Sequence, residues 1–343
     1  MSKEAVTSQH VARKAGVSQS AVSRVFSEGA SASPEMTRKV LKVAQELGYR
    51  PNVLARSLIT GRSKIIGLVV AYLENQFYPD ALEKLSRSLQ DQGYHVLVLM
   101  ARLTDDNVDR LLEELLDHQV DGIIMASASM SPVLAERCKS AGVPVVLFNR
   151  RQDNNLLSAI TSNNIKGGEK VAQFLVAGEH ERIAHIAGWE SASTQRDREL
   201  GFMKELQRQG VPLFSREVGN YHYESTQVAA RAMFDKNVIP DAVFVGNDHM
   251  ALAVIECIRY EFKLRVPEDV SIVGYDDVEL ARWPSFSLTT IRQPVNRMVS
   301  ETVKVLLDSI NRQTASPDLI ELDGPLIVRK SARIPTGWKN EEL

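Results

Sequence analysis

The chain has 343 residues, 44% apolar and 24% charged, with a formal net charge of −2. That length suits two or three domains, the composition is that of a soluble globular protein, and no apolar run approaches the ~20 residues that span a bilayer. The N-terminus is polar and basic and lacks the apolar core of a secretory signal, and the two cysteines, Cys138 and Cys257, lie far apart in helical-looking contexts; buried thiols in a reducing cytoplasm are expected.

Residues 6–26 open the chain with two short helical patterns. Thr7 is a good N-cap, Val11, Ala12 and Ala15 recur at helical spacing, and Gly16 stands where a helix end needs positive φ. Ser18 then caps a second helix whose inner face is Ala21, Val22 and Val25, leaving Gln19, Ser20, Ser23 and Arg24 outward. This reads as a helix-turn-helix with a polar second helix suited to the major groove, although periodicity alone also allows an ordinary helical hairpin. Charge separates the two readings. Residues 1–62 carry ten Lys and Arg against four Asp and Glu, a formal +6, which leaves −8 for the remainder. A basic arm on an acidic body fits a phosphate-binding module joined to something that does not touch DNA.

Ser33-Pro34-Glu35 is a strong start for a third helix, with Met36, Val40, Val43, Ala44 and Leu47 as its buried stripe and Gly48 as its stop. Pro51-Asn52 precedes a brief helical segment, 53–58, and the linker Thr60-Gly61-Arg62-Ser63. So short a helix is unstable alone and is a candidate for folding with a partner chain and DNA.

Ala12 to Val25, followed by Gly48-Tyr49-Arg50-Pro51-Asn52-Val53-Leu54-Ala55-Arg56-Ser57-Leu58, resembles the DNA-binding head of the LacI/GalR family of bacterial transcription regulators. The resemblance implies that residues 51–63 form a hinge and that Asn52, Ala55 and Leu58 meet DNA, with Leu58 wedged into the minor groove. The residue pattern alone also leaves open that Leu58 is an interdomain core residue. Thr7, Ser18, Gln19, Ser20, Ser23 and Arg24 complete the expected DNA-contacting set, Arg24 as the guanine reader and Gln19 as an adenine or phosphate contact. Ser27 stands where the family commonly has Asn.

From Lys64 the texture changes. The apolar runs 65–70, 95–100, 122–125 and 145–148 alternate with amphipathic segments 78–92, 108–118 and 132–141. A second series follows, with runs 183–187, 242–245 and 271–275 among helical segments 167–177, 198–209, 225–236 and 251–260. Near-continuous apolar strands alternating with helices predict parallel sheets covered on both faces. The expected fold is therefore a small all-α helix-turn-helix head, 1–50, the hinge, and a bilobal α/β body, 64–343. By its likeness to the family's periplasmic-binding-protein-like core, lobe 1 takes about 64–161 plus 292–324 and lobe 2 about 162–291 plus 325–343. The same likeness implies that 289–294 returns the chain to lobe 1, that a helix over 296–311 packs there, and that 326–328 crosses back, the crossovers forming a hinge.

Ligands of open parallel sheets bind beyond the carboxyl ends of the strands. There stand Asn75, Phe77 and Tyr78, then Asn149 and Arg150, Gly188-Trp189 with Arg196 and Arg198, then Tyr221, Asn247-Asp248 and Asp276-Asp277. The candidate effector set is Asn75, Phe77, Tyr78, Asn149, Arg196, Arg198, Tyr221, Asn247 and Asp276. Aromatic rings suit an apolar sugar face, amides and carboxylates suit hydroxyls, and the two arginines suit a carboxylate or phosphate. The family likeness supports Arg198, Asn247 and Asp276 most, through Arg-Glu-Leu-Gly-Phe (198–202), Gly-Asn-Asp (246–248) and Gly-Tyr-Asp-Asp (274–277); Asn149 stands where relatives often carry Asp.

Enzyme motifs for dinucleotides, nucleotide phosphates, zinc hydrolysis or a serine nucleophile are lacking, and the seven His have no metal-ligand spacing. Asp276 and Asp277, adjacent after a strand, should point to opposite sides and so cannot share acid–base work. No catalytic residue, metal or cofactor is expected. Two functions remain: a transcriptional repressor of a carbohydrate-utilisation operon, dimeric on a pseudopalindromic operator and controlled by a sugar, polyol or sugar acid between the lobes; or a solute-binding protein whose N-terminal helices serve oligomerisation. The basic head favours the first.

Overall fold

The computed structural model describes residues 6–26, 32–49, 62–101, 105–127, 130–153, 156–312 and 317–338. It divides into two compact units, residues 1–63 and 64–343.

In the first unit, α1 (Ser8–Ala15) ends at Gly16 with φ 61°, α2 (Gln19–Val25) starts from Ser18, whose Oγ accepts from the Ala21 N–H at 3.2 Å, and α3 (Pro34–Leu47) runs from Ser33 to Gly48, φ 66°. Both glycines sit in the left-handed region that a side chain would strain. Val11, Ala12, Ala15, Val22, Val40 and Ala44 form one small core, edged by Val25, Phe26, Met36 and Tyr49. The expected caps, turn and buried faces are those observed. Residues 51–61 of the expected hinge, with Asn52, Ala55 and Leu58, lie outside the described residues, as does Ser27.

The second unit begins with β1 (Ile65–Val70), α4 (Phe77–Asp91), β2 (His95–Met100), α5 (Asp105–Asp117), β3 (Gly122–Ala126), α6 (Pro132–Ser140), β4 (Val145–Phe148) and β5 (Ser158–Ser162). It continues with α7 (Asn164–Ala177), β6 (Ile183–Ala187), α8 (Ser193–Arg208), β7 (Ser215–Val218), α9 (Tyr223–Phe234), β8 (Ala242–Val245), α10 (Asp248–Tyr260) and β9 (Ser271–Asp276). The chain closes through β10 (Thr289–Arg292), α11 (Val295–Arg312), β11 (Leu319–Leu322) and β12 (Leu326–Ile327).

The strands make two sheets, ordered β11-β5-β4-β3-β1-β2 and β12-β10-β9-β8-β6-β7, parallel throughout except where β12 runs against β10. Alternation along β1 places Ile66, Leu68 and Val70 under α4 and α11, while Val69 faces α5 and α6. Gly67 leaves the space that Leu115 fills: a Cβ there would lie 2.6 Å from the Leu115 side chain. In the second sheet, Ile186, Val245 and Ile272 pack on α9 and α10, while Ile183, Phe244 and Val273 pack on α7 and α8. Each lobe is thus a three-layer, doubly wound unit, as expected.

Two expectations need correction. Residues 289–292 do not return the chain to the first lobe: they form β10, paired in parallel with β9, because Leu288, Ile291 and both threonines are buried in the second lobe. The return follows Arg292. The strands β5 and β11 are also not among the expected apolar runs, and β5 is the last strand before the chain crosses near Ser162.

Candidate functional site

On the head, Gln19, Ser20, Ser23 and Arg24 form the exposed side of α2, opposite buried Ala21 and Val22. Gln19 Nε2 donates to Ser8 Oγ at 3.0 Å and Ser20 Oγ lies 2.9 Å from Ser18 Oγ, so the start of α2 is fixed by polar contacts that leave its outer face open. Thr7 is exposed before α1, its N–H donating to His10 Nδ1 at 3.3 Å.

The second site is the cleft between the lobes of the body, at the carboxyl ends of the strands. The first lobe contributes Tyr72, Asn75 and Tyr78 after β1, and Asn149 and Arg150 after β4; the second contributes Thr194 and Arg198 from α8, Tyr221 after β7, Asn247 after β8, and Asp276 at the end of β9. Asn149, Tyr221 and Asp276 have positive φ of 69°, 64° and 130°. Side-chain-bearing residues in that region cost about 1–3 kcal/mol each and cluster where a ligand must be met.

Arg198, 2% exposed, is the centre of the polar wall. Its Nε donates to Asn164 Oδ1 at 2.9 Å, one terminal nitrogen to the Gly246 carbonyl at 2.7 Å, and the other to Asp276 Oδ1 at 3.4 Å; its guanidinium lies 3.6 Å from the centre of the Tyr275 ring. Asp276 also accepts from Gln293 Nε2 at 2.7 Å and from Asn75 Nδ2 at 2.9 Å. Burial raises the Asp276 carboxyl above its ordinary range, with Arg198 and these donors opposing. Deeper in the lobe, Asp248 has no cation within ion-pair distance among the described residues; its oxygens accept from Thr290 Oγ1 at 2.6 Å and the Val278 N–H at 3.0 Å. Burial, followed by the charge of Asp276, pushes its carboxyl up to about 8.

Asn247 caps α10, its Oδ1 accepting from the Met250 N–H at 2.9 Å, and Asn149 Nδ2 donates to the Tyr78 hydroxyl at 2.9 Å. Tyr72, from the first lobe, donates its hydroxyl to the Tyr221 carbonyl of the second. These residues close around an inner cavity of ≈ 10 Å³, room for about one water. Outside it lies a wider cavity of ≈ 340 Å³ that shares Tyr72, Arg150 and Tyr221 and adds Trp189, Asn220, His222 and Ser225.

Seven of the nine candidate effector residues therefore meet at one cavity, and two do not. Arg196 stands two positions before Arg198 on α8, and residues so spaced on a helix do not share a face. It makes a paired contact with Asp153, at 2.6 and 2.8 Å, on the surface. Phe77 turns into the core and stacks on Phe148 at 6.1 Å, so that it supports Asn75 rather than facing the cavity. Tyr72, Arg150 and Thr194 line the cavity but were not in the candidate set. Tyr72 and Arg150 satisfy the strand-end rule; Thr194 becomes legible only once α8 is seen to start at Ser193. Asp277 points away from Asp276, toward Arg292 at 2.6 Å, Arg282 at 3.6 Å and Arg329, as the strand geometry requires.

Residues 7–52 match the model of bacterial regulatory proteins of the lacI family, and residues 171–332 match a periplasmic binding protein-like domain. The ribose operon repressor of Escherichia coli K12 is 31% identical over 329 residues, covering 95% of this chain and 99% of that one. The chain belongs to the LacI family. The PurR repressor of Pasteurella multocida, 31% identical, covers 95% of the chain and 98% of its own. Among solved structures, the lac repressor dimer bound to operator and the anti-inducer ONPF superposes with a TM-score of 0.86 at 28% identity, over 96% of this chain and 99% of that one. The CelR–cellobiose complex does so with a TM-score of 0.72 at 30% identity, over 95% and 99%. This LacI-family chain is a DNA-binding transcriptional regulator and not an enzyme. The alternative, a solute-binding protein with an oligomerising head, is overturned: the head itself matches the regulatory family, and the relatives are repressors along nearly the whole chain. No helix among the described residues is long and apolar enough to cross a membrane.

Proposed function

We propose that the protein is a homodimeric repressor of a carbohydrate-utilisation operon whose hold on a pseudopalindromic operator is set by a polyhydroxylated ligand in the cleft. The observation that carries the reading is the cleft wall itself: buried Arg198 and Asp276 flanked by Asn75, Asn149 and Asn247, with Tyr72, Tyr78 and Tyr221 beside them. Carboxylate and amide groups pair with adjacent hydroxyls, and aromatic faces cover the apolar side of a sugar ring. Relatives named for ribose and cellobiose support the same ligand class.

On DNA, Arg24 reads guanine, Gln19 contacts adenine or phosphate, and Ser20 and Ser23 with Thr7 and Ser18 complete the major-groove set. Asn52, Ala55 and Leu58 act at the central minor groove, Leu58 as the wedge. The residues about 64–161 and 292–324 move against those about 162–291 and 325–343, and only a ligand that binds one arrangement better than the other shifts operator affinity. Such a regulator works beside the chromosome, in the cytoplasm. The test is footprinting of purified protein on fragments around its own gene, at stated salt, with a panel of sugars, polyols and sugar acids. Protection of a symmetric site that one compound alters is expected; protection without sequence preference, unaltered by every compound, would contradict the reading.

A further inference from the structure

We infer that the ligand of this cleft carries an oxyanion, a carboxylate or a phosphate, and that Arg150 is the group that seats it; the inference rests on the cleft being a sugar-type effector site. Four arginines stand in or beside the cleft, and three are already neutralised. Arg198 faces Asp276, Arg196 faces Asp153, and Arg151 is bound to Asp197 at 3.1 and 3.2 Å. Their charges are spent within the protein.

Arg150 differs. One terminal nitrogen donates to the Ser127 carbonyl at 3.1 Å, and its buried Nε has no hydrogen-bond partner. No carboxylate among the described residues lies within ion-pair distance of it. Its guanidinium is 5.4 Å from the Trp189 ring centre and 5.9 Å from that of Tyr221, and it lines both the inner and the outer cavity. Beside it, Asn149 is 3% exposed and its Oδ1 is buried without a partner. With Arg198 and Asp276 cancelling, the wall carries one uncompensated positive charge. Glu74 and Glu224, whose fields reach the Tyr72 hydroxyl, line neither cavity.

A half-buried cation with an unpartnered donor, next to an unpartnered acceptor, asks for an anion with a hydroxyl on the adjoining carbon. The oxyanion accepts from Arg150 Nε, the hydroxyl donates to Asn149 Oδ1, and Trp189 and Tyr221 cover the carbon skeleton within the ≈ 340 Å³ cavity. The arrangement serves a sugar acid and a sugar phosphate alike.

The test is calorimetric titration of the full chain with matched probes: glucose, gluconate and glucose 6-phosphate; galactose and galactonate; ribose and ribose 5-phosphate. The wild type is compared with Arg150→Gln and Arg150→Lys. In a set that binds, the anionic member should bind about tenfold or more tighter than its neutral parent, Arg150→Gln should bring the two within about twofold, and Arg150→Lys should keep part of the preference. Equal binding of parent and anion, unchanged in Arg150→Gln, would overturn the inference and leave the sugar site standing. If no probe of either kind binds, the sugar-type reading fails and the inference with it. Comparing the carboxylate and phosphate arms distinguishes the two sources, and a thermal unfolding midpoint of each Arg150 variant beside that of wild type shows whether it folds.

Discussion

Asp276, at the end of β9 in the second lobe, is tied to the first lobe by Asn75, whose Nδ2 donates to it at 2.9 Å, while Arg198 of its own lobe holds its other oxygen at 3.4 Å. One carboxylate thus joins both walls of the cleft. A ligand hydroxyl that competes for Asp276 must change the contact between the lobes. Couplings of this kind amount to about 1–3 kcal/mol.

The Arg198–Asp276 pair is buried on both sides, so removing only the cation leaves an uncompensated charge. Arg198→Met should lower the unfolding free energy by about 3–5 kcal/mol in urea melts near pH 8. Because burial already raises the Asp276 carboxyl, acidification that protonates it should shrink that loss, and Arg198→Met with Asp276→Asn should recover part of it. An equal loss at pH 5 and pH 8 in Arg198→Met, with no recovery in the double variant, would contradict this account.

Gly201 sets how closely α7 and α8 approach. A Cβ there would lie 1.9 Å from the Ile165 carbonyl, and one at Gly168 would lie 2.0 Å from the Arg198 carbonyl, backbone in both cases. Gly201→Ala must push the helices apart and carry Arg198 with α8. We expect a stability loss of about 1–3 kcal/mol together with weaker ligand binding. Leu200→Ala, at the exposed neighbouring position, should change stability by less than about 0.5 kcal/mol. Thermal unfolding and ligand titration of both variants measure the difference.

Asp248 gives stability a specific pH dependence. Its carboxyl is raised from 3.8 to about 8 in the fold, so the folded state binds the extra proton; this contribution is complete below about pH 4 and is lost as pH rises to about 8. Asp248→Asn keeps the shape and cannot ionise. Its stability relative to wild type should therefore rise between pH 4 and 8 and level off above, which urea melts across that range will show. A constant difference would mean that Asp248 is ionised throughout.

On the head, Arg24 stands exposed on α2. Arg24→Ala should cost about 1–3 kcal/mol on the cognate operator and less on random DNA at the same salt, measured by fluorescence anisotropy. Equal losses on both would reduce Arg24 to a phosphate contact.

The long apolar strands and the head were legible because their signals are local: caps, a positive-φ glycine, and apolar runs of strand length. What was missed is polar yet buried. β5 reads Ser-Ala-Ile-Thr-Ser, and its two serine hydroxyls are taken up internally, Ser162 Oγ lying 3.2 Å from the Tyr275 hydroxyl and Ser158 Oγ accepting from the Asp318 N–H at 3.1 Å. The start of α8, Ser193-Thr194-Gln195-Arg196-Asp197, looks like a loop in sequence, yet Ser193 Oγ accepts from the Arg151 N–H at 3.0 Å and Gln195 Oε1 from the Gly188 N–H at 2.6 Å. Those bonds bury the turn that carries Thr194 and Arg198 into the cleft and leave Arg196 outside. The pairing that assigns Arg196 to Asp153 is tertiary, and no spacing in the sequence encodes it.

The central claim is that the cleft controls the head through Asp276. Its most direct test is operator binding by the purified full chain, measured by anisotropy at fixed salt with and without the compound that footprinting identifies, in wild type and Asp276→Asn. We predict that the compound shifts the wild-type midpoint about fivefold or more and leaves the Asp276→Asn midpoint unmoved, with binding of both proteins to operator alone within about threefold. The same shift in both proteins would place the control elsewhere than in this cleft.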